Sequence, residues 1–470
     1  MNMFVDIVMF GWIPVVLLLF AMMPARRAVI AAFIIAWSFL PMASYHIQGL
    51  PAYSKMSATC GGVLLGAMIF DMDRLLSFRP SWVDIPMLVW CLCPCASSLS
   101  NGLGLYDGVS AAFAQTVTWG FPYIIGRLYL SDLAGAREMA TGILMGGLAY
   151  VPLCWWEARM SPQLHRIVYG YHQFNNFNQT IRYGGYRPTV FMDHGLMVGM
   201  WMSMAALVGV WAWRTGAVKR VFGIPILLVA IVLVATAVIC KSTGALALLL
   251  MGLVALWAVR LWKLRILIWA LIIASPLYIG LRITKTWDGS ELTRMAEMLS
   301  SERSHSMQYR LDNENLLIDH AMDQPIFGWA GWNRSQVYIK SANAFTVVDG
   351  QWINSLGLYG IVGMVSLTTV LLFPCMLVLK RYPPTAWNSP AFGAAGSLLM
   401  ISVLYMLDNI PNAMVNPVYV LAIGGITGML TKKLTSTQQP APQLQRYNGP
   451  RRRPNRPSFP QPAVRPGVAR

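Results

Sequence analysis

Val221-Phe222-Gly223-Ile224-Pro225-Ile226-Leu227-Leu228-Val229-Ala230-Ile231-Val232-Leu233-Val234-Ala235-Thr236-Ala237-Val238-Ile239-Cys240 runs for twenty residues without a charge before Lys241-Ser242-Thr243-Gly244-Ala245 interrupts it. As a helix, such a run spans the hydrocarbon of a bilayer, where a lone segment satisfies its backbone groups only by being helical. Working outward in both directions, comparable stretches fall at 4–23, 28–47, 57–73, 82–99, 109–126, 139–156, 191–213, 244–260, 264–281, 352–379, 391–407 and 413–430. The fold expected is therefore all-α, a polytopic transmembrane bundle of about 12–13 spans. The first run, Phe4 to Met23, lacks a basic start and a small-residue cleavage site, so it reads as the first span and not as a signal peptide.

Composition agrees. Of 470 residues 56% are hydrophobic and 12% charged, about half the charged share of soluble domains. The seven cysteines fall in or beside apolar runs, which argues against a disulfide framework. Cys91, Cys93 and Cys95 alternate in a span, on different faces of a helix, and match no common metal site. Formal charge is +17, but nine of the cations follow Thr431 with no acidic residue among them. The Pro- and Gln-rich segment 435–470 is expected to be a disordered basic cytoplasmic tail, after a transmembrane domain over 1–434. Anionic lipid headgroups suit such a tail better than nucleic acid does.

Basic residues alternate along the short connections: Arg26 and Arg27, Arg74 and Arg79, Arg137, Arg214 with Lys219 and Arg220, Arg260 with Lys263 and Arg265, Lys380 and Arg381, Lys432 and Lys433. Counting spans alternately puts all of them on one side, which the positive-inside rule makes cytoplasmic. The N-terminus is then external, and two large polar segments, 157–190 and 282–351, face outward. Arginines there are not needed for orientation. Guanidinium groups grip phosphate and diphosphate bidentately; pairing with loop carboxylates or headgroups is the plainer alternative.

In the second segment Arg303-Ser304-His305-Ser306-Met307-Gln308-Tyr309-Arg310 leads a helical stripe of Leu311, Leu316, Leu317, Ile318 and Ala321, an amphipathic helix in the large external loop. Arg303 and Arg310, seven apart, share nearly one face. Pro325 and Gly328 end it in Gln324-Pro325-Ile326-Phe327-Gly328-Trp329-Ala330-Gly331. With Asp349-Gly350-Gln351-Trp352-Ile353-Asn354-Ser355-Leu356-Gly357-Leu358-Tyr359-Gly360, this pattern resembles the O-antigen ligase and polymerase superfamily. Two further segments look similar to motifs of that family: Tyr186-Arg187-Pro188-Thr189-Val190-Phe191-Met192-Asp193-His194-Gly195, and the turn Lys241-Ser242-Thr243-Gly244-Ala245. The resemblance covers about 122–428. It departs at Thr243, where the family carries arginine and only Lys241 is nearby, and at Asp349, where ligases carry histidine and polymerase-like relatives aspartate.

The resemblance implies a bacterial inner-membrane glycosyltransferase that polymerises or ligates glycans, polymerase before ligase. Its donor would be a polyprenyl-pyrophosphate-linked glycan and its acceptor a glycan, lipid or protein, with a chain-length regulator as a further partner and no cofactor or metal. Arg187, Lys241, Ser242, Arg303 and Arg310 would hold the diphosphate, and Trp352 would stack on a sugar. Asp349 is the first choice of general base and His194 the second, with His305 and His320 behind them. Each has a plainer use: Asp349 as a helix cap, His194 in a local hydrogen bond, Trp352 as an interfacial anchor, Arg127 snorkelling to headgroups. Asp408, Asn409, Asn412 and Asn416 either line the cavity or form a polar turn. The competing class is a transporter or flippase of a lipid-linked or polyanionic substrate, but no internal repeat and little midplane charge supports it. A noncatalytic scaffold is the third.

Overall fold

In a computed structural model the described residues are 2–46, 52–174, 176–298, 301–340 and 343–431, without the side chains at 302 and 303. The tail expected at 435–470 lies outside them. Each apolar stretch is helical over most of its length. Among the described residues seven helices are long and apolar enough to cross a membrane: Met3–Met22, Trp82–Ser100, Leu133–Met160, Gly195–Thr215, Thr243–Trp262, Ile266–Ile283 and Gln351–Arg381. Four shorter apolar helices, Lys55–Phe70, Ile226–Ile239, Gly393–Asp408 and Pro417–Thr431, pack among them. All seven cysteines are free.

Boundaries moved where proline or glycine intervened. The stretch expected to run to 47 stops at Phe39, because Pro41 forces Leu40 into an extended conformation (φ −68°, ψ 146°). The stretch at 109–126 is two α-helices, Leu105–Gln115 and Phe121–Tyr129, joined by a π-helical turn over Thr116–Gly120. Glu157, placed in the first loop by sequence, is the buried last-turn carboxylate of Leu133–Met160. It accepts from the amides of Leu164 (2.9 Å), Thr189 (2.8 Å) and Val190 (2.7 Å), and so ties both ends of that loop to one helix.

The basic connections meet at one end of the bundle. Arg26 pairs with Asp132 at 2.7 Å, Arg27 with Glu138 at 3.3 Å, and Arg381 donates to the Leu430 carbonyl at 3.1 Å. Arg127 does not snorkel as expected. It is buried, pairs with Asp84 at 2.8 Å and donates to Thr431 Oγ1, because the neighbouring 82–84 turn supplies it with a carboxylate inside the bundle.

Beside Arg127, the Phe121–Tyr129 and Pro417–Thr431 helices pack backbone to backbone through Gly126, Gly424, Gly425 and Gly428. A Cβ on Gly126 would overlap the Leu421 carbonyl, and one on Gly424 the Tyr123 carbonyl. Small residues are how helices approach this closely where burying apolar surface provides no drive. Gly424→Leu is therefore expected to lower the melting temperature in detergent by several degrees or more. Gly11→Ala, where an added Cβ meets nothing within 4 Å, should leave it unchanged.

The Gln351–Arg381 helix is broken at Gly360 (φ 64°, ψ −165°). The break frees carbonyls and amides that need partners, and the 325–330 segment supplies them. Trp329 N–H donates to the Gly357 carbonyl (2.8 Å) and Ala330 N–H to that of Leu358 (3.0 Å), while Ile361 N–H donates to the Pro325 carbonyl (2.8 Å). Asn101 and Ser97, from the neighbouring Ile85–Ser100 helix and its cap, clamp the carbonyls of Gly328 and Leu358 at 2.8 Å each. The Pro-x-x-Gly segment thus threads a broken helix, and Gly328 and Gly360 permit the close backbone approach.

Candidate functional site

The Ser301–Met322 helix carries Arg310 and faces the bundle with Leu311, Leu317, Ile318 and Ala321, all buried. Leu316, expected on the same stripe, is 41% exposed, and Glu314 takes the inward place. Glu314 accepts from Tyr278 at 2.8 Å and from Arg282 Nε at 3.2 Å, and Arg282 also donates to the carbonyls of Asp288 (3.0 Å) and Leu311 (3.1 Å). This ion pair, with Arg282 2% exposed, fastens the loop helix to the end of Ile266–Ile283. Burial holds the Glu314 carboxyl above its usual range, and Tyr278 and Arg282 offset part of that rise.

Asp349 is delivered to Arg310 by two anchors. Asn313 Oδ1 accepts from the Val347 amide at 2.9 Å, fixing the approach to the Ser301–Met322 helix. On the other side the Gln351 amide donates to the Asn409 carbonyl at 2.9 Å, and Gly350 admits the Ile410 carbonyl where a Cβ would collide. Asp349 does not cap its helix, because Gly350 occupies that position without a side-chain bond. Its carboxylate instead meets Arg310 Nε at 3.4 Å, both side chains about one-third exposed. Together with Tyr278, Glu314, Ile353 and Pro411 they line a cavity of about 240 Å³.

A second group of cations gathers at the other polar segment. The Ile181–Arg182 and Gly185–Tyr186 hairpin lies on the 241–243 turn: Lys241 Nζ donates to the Arg182 carbonyl at 3.1 Å, and the Tyr183 hydroxyl bonds Thr243 at 2.9 Å. Arg187 is buried between them. Its Nη2 reaches the Lys241 carbonyl at 3.5 Å, and its Nε has no hydrogen-bond partner among the described residues. Burial, then the Arg182 charge, lowers the guanidinium to about 10, so it stays cationic at neutral pH. Ser242 is buried at the start of Thr243–Trp262, against Gly199.

His194 caps Gly195–Thr215, its Nδ1 accepting from the Leu196 amide at 3.1 Å and its Nε2 bonding Gln179 at 3.1 Å. Burial pushes it down to about 4, and the charges of Arg187, Arg182 and Arg310 push the same way. The imidazole thus feels cations of both groups, which puts the two within electrostatic reach of one another. Its folded-state value lies below the ordinary 6.5, so the stability it contributes is complete above about pH 6.5 and is lost as pH falls toward 4. Melting temperature in detergent should drop across that window, and His194→Gln should flatten the drop.

The remaining expected residues are elsewhere or differently employed. Trp352 is 1% exposed and packs edge-on against Tyr278, so its ring presents no face for a sugar. Arg303's side chain lies outside the described residues. His305 is exposed, and His320 stacks on Trp329 and bonds the Arg334 carbonyl at 2.9 Å. Asp408 accepts from Asn412 at 2.8 Å, Asn416 caps Pro417–Thr431, and the turn reaches the cavity through Ile410 and Pro411. Sequence reading passed over Tyr278, Arg282 and Glu314 as site residues. Arg282 closing an apolar span was the available signal, since a charge there needs a partner. No protein-family model matches the chain, and no curated protein matches its sequence.

Proposed function

We propose that the protein is a membrane glycosyltransferase that joins glycans from a polyprenyl-pyrophosphate donor on the external face of a bacterial cytoplasmic membrane, as a polymerase in preference to a ligase. The observation carrying the reading is the Arg310–Asp349 pair in its cavity, with the cations Arg187 and Lys241 across His194. In this reading an acceptor hydroxyl attacks the anomeric carbon with inversion. Its proton passes to the Asp349 carboxylate, and the bond from anomeric carbon to phosphate oxygen breaks. Polyprenyl diphosphate leaves with the electron pair, its charge met by Arg310 and Arg187. The pairing of Arg310 with Asp349 gives an order of events: the donor diphosphate competes for the guanidinium and frees the carboxylate to act as base. His194, uncharged at neutral pH, is the alternative base.

With spans and loops disposed as the charge pattern implies, the cavity opens where a lipid-linked glycan emerges from the outer leaflet. The test is to supply purified protein with a lipid-linked oligosaccharide and follow glycan length on a gel. Elongated or transferred glycan is expected. Unchanged donor under conditions where the protein stays monodisperse would remove the reading.

A further inference from the structure

We propose that a groove at the basic end of the bundle binds an anionic phospholipid, with an acyl chain between the Ala25–Phe39 and Leu133–Met160 helices and the headgroup phosphate at Arg27 and Arg137. The two helices touch where Ile30 packs on Gly142 and Ile34 on Gly146. Beside that contact lies a cavity of about 790 Å³, walled by Ile35 and Met145, well within the size range of ligand sites.

One end of this apolar channel is charged. Arg27, Arg137 and Glu138 stand at its mouth. Glu138 is engaged by Arg27 at 3.3 Å and Arg26 at 3.8 Å, and Arg26 is also held by Asp132 at 2.7 Å. Three arginines thus face two carboxylates. The exposed Arg137 guanidinium has neither an ion pair nor a hydrogen bond among the described residues. An adjoining cavity of about 370 Å³ shares Arg27 and Glu138 and adds Arg74 with Asp71, which leaves the surplus at one cation and gives room for a headgroup beside the channel. The apolar part cannot choose among lipids, since an acyl chain gains little by leaving bilayer for groove. Selection rests on the phosphate and on the headgroup's net charge, which one surplus cation and one unpaired guanidinium favour when negative. A zwitterionic lipid brings its own cation to the same arginines and loses that advantage.

The inference is independent of the glycosyl-transfer reading, whose residues lie elsewhere. The full chain, in nanodiscs of equal phosphatidylglycerol and phosphatidylcholine, is released into detergent and its retained lipids counted by native mass spectrometry. Retention of phosphatidylglycerol at roughly fivefold or more over phosphatidylcholine is expected, the preference that one net cation confers. Arg27→Gln with Arg137→Gln should abolish the preference, and Ile35→Trp, which fills the channel from its lipid-facing wall, should lower retention of both lipids. Equal retention by the wild type, or a preference surviving the double substitution, overturns the headgroup assignment; retention unaffected by Ile35→Trp overturns the acyl channel.

Discussion

Arg310→Ala is expected to reduce glycan transfer by about 10²–10³, the loss typical when a preorganised partner for developing charge is removed. Melting temperature and membrane insertion should stay unchanged. The separation follows from exposure: both partners of the Arg310–Asp349 pair are about one-third exposed, so water takes over Asp349 when the guanidinium goes. Arg310→Lys should restore only part of the rate, since an ammonium cannot grip a diphosphate bidentately. Asp349→Asn should lower turnover by about 10²–10⁴ with little change in donor affinity, as loss of a general base does. The control is Arg282→Ala: Arg282 is 2% exposed and pairs with Glu314, which lines the same cavity. It strands buried Glu314 without its cation and is expected to cost the fold about 3–5 kcal/mol. Activity assays and thermal melts on the same four proteins read the two outcomes apart.

Gly360→Val is expected to prevent accumulation of folded protein, and Gly328→Ala to come close to doing so. Both glycines sit at positive φ, 64° and 67°, where a side chain costs about 1–3 kcal/mol in strain alone. The threaded backbone adds a larger penalty. A Cβ on Gly328 would stand 2.6 Å from the Gly360 nitrogen, and one on Gly360 would enter the Ile326 carbonyl. Separating the strands to make room strands the amides of Trp329, Ala330 and Ile361 and the carbonyls they use, and orphaned buried groups cost about 1–3 kcal/mol each. Gly331→Ala, with nothing within 4 Å of the added carbon, should express normally. Fluorescence-detected size exclusion of tagged variants checks all three.

The helices were legible because a charge-free run of this length has one stable form in hydrocarbon; Pro41 cut one short, and the turn over Thr116–Gly120 interrupted another. The arrangement at the loops was not. Arg310 and Asp349 are far apart in sequence and meet only because Asn313 and Asn409 hold the backbone beside Asp349. Neither asparagine looks different in sequence from those of any polar loop. Glu314, four residues after Arg310, reads as half of an exposed pair, and only Arg282 and Tyr278 from another helix turn it inward. Pro325, Gly328 and Gly360 were read as part of one motif, which was informative, but a spacing pattern does not say that their work is backbone threading. Trp352 shows the opposite error. An aromatic residue at the start of an apolar span fits an anchor or a sugar platform equally well, and its burial against Tyr278 makes it neither.

The central claim is that donor diphosphate leaves as a new glycosidic bond forms in the Arg310–Asp349 cavity. Released polyprenyl diphosphate, counted against bonds formed by the purified protein in liposomes loaded with lipid-linked oligosaccharide, tests it directly. The account predicts one released for each bond, with Arg310→Ala suppressing both together. Donor that crosses the bilayer intact, with no diphosphate freed, would contradict it and make the protein a carrier of its lipid-linked substrate.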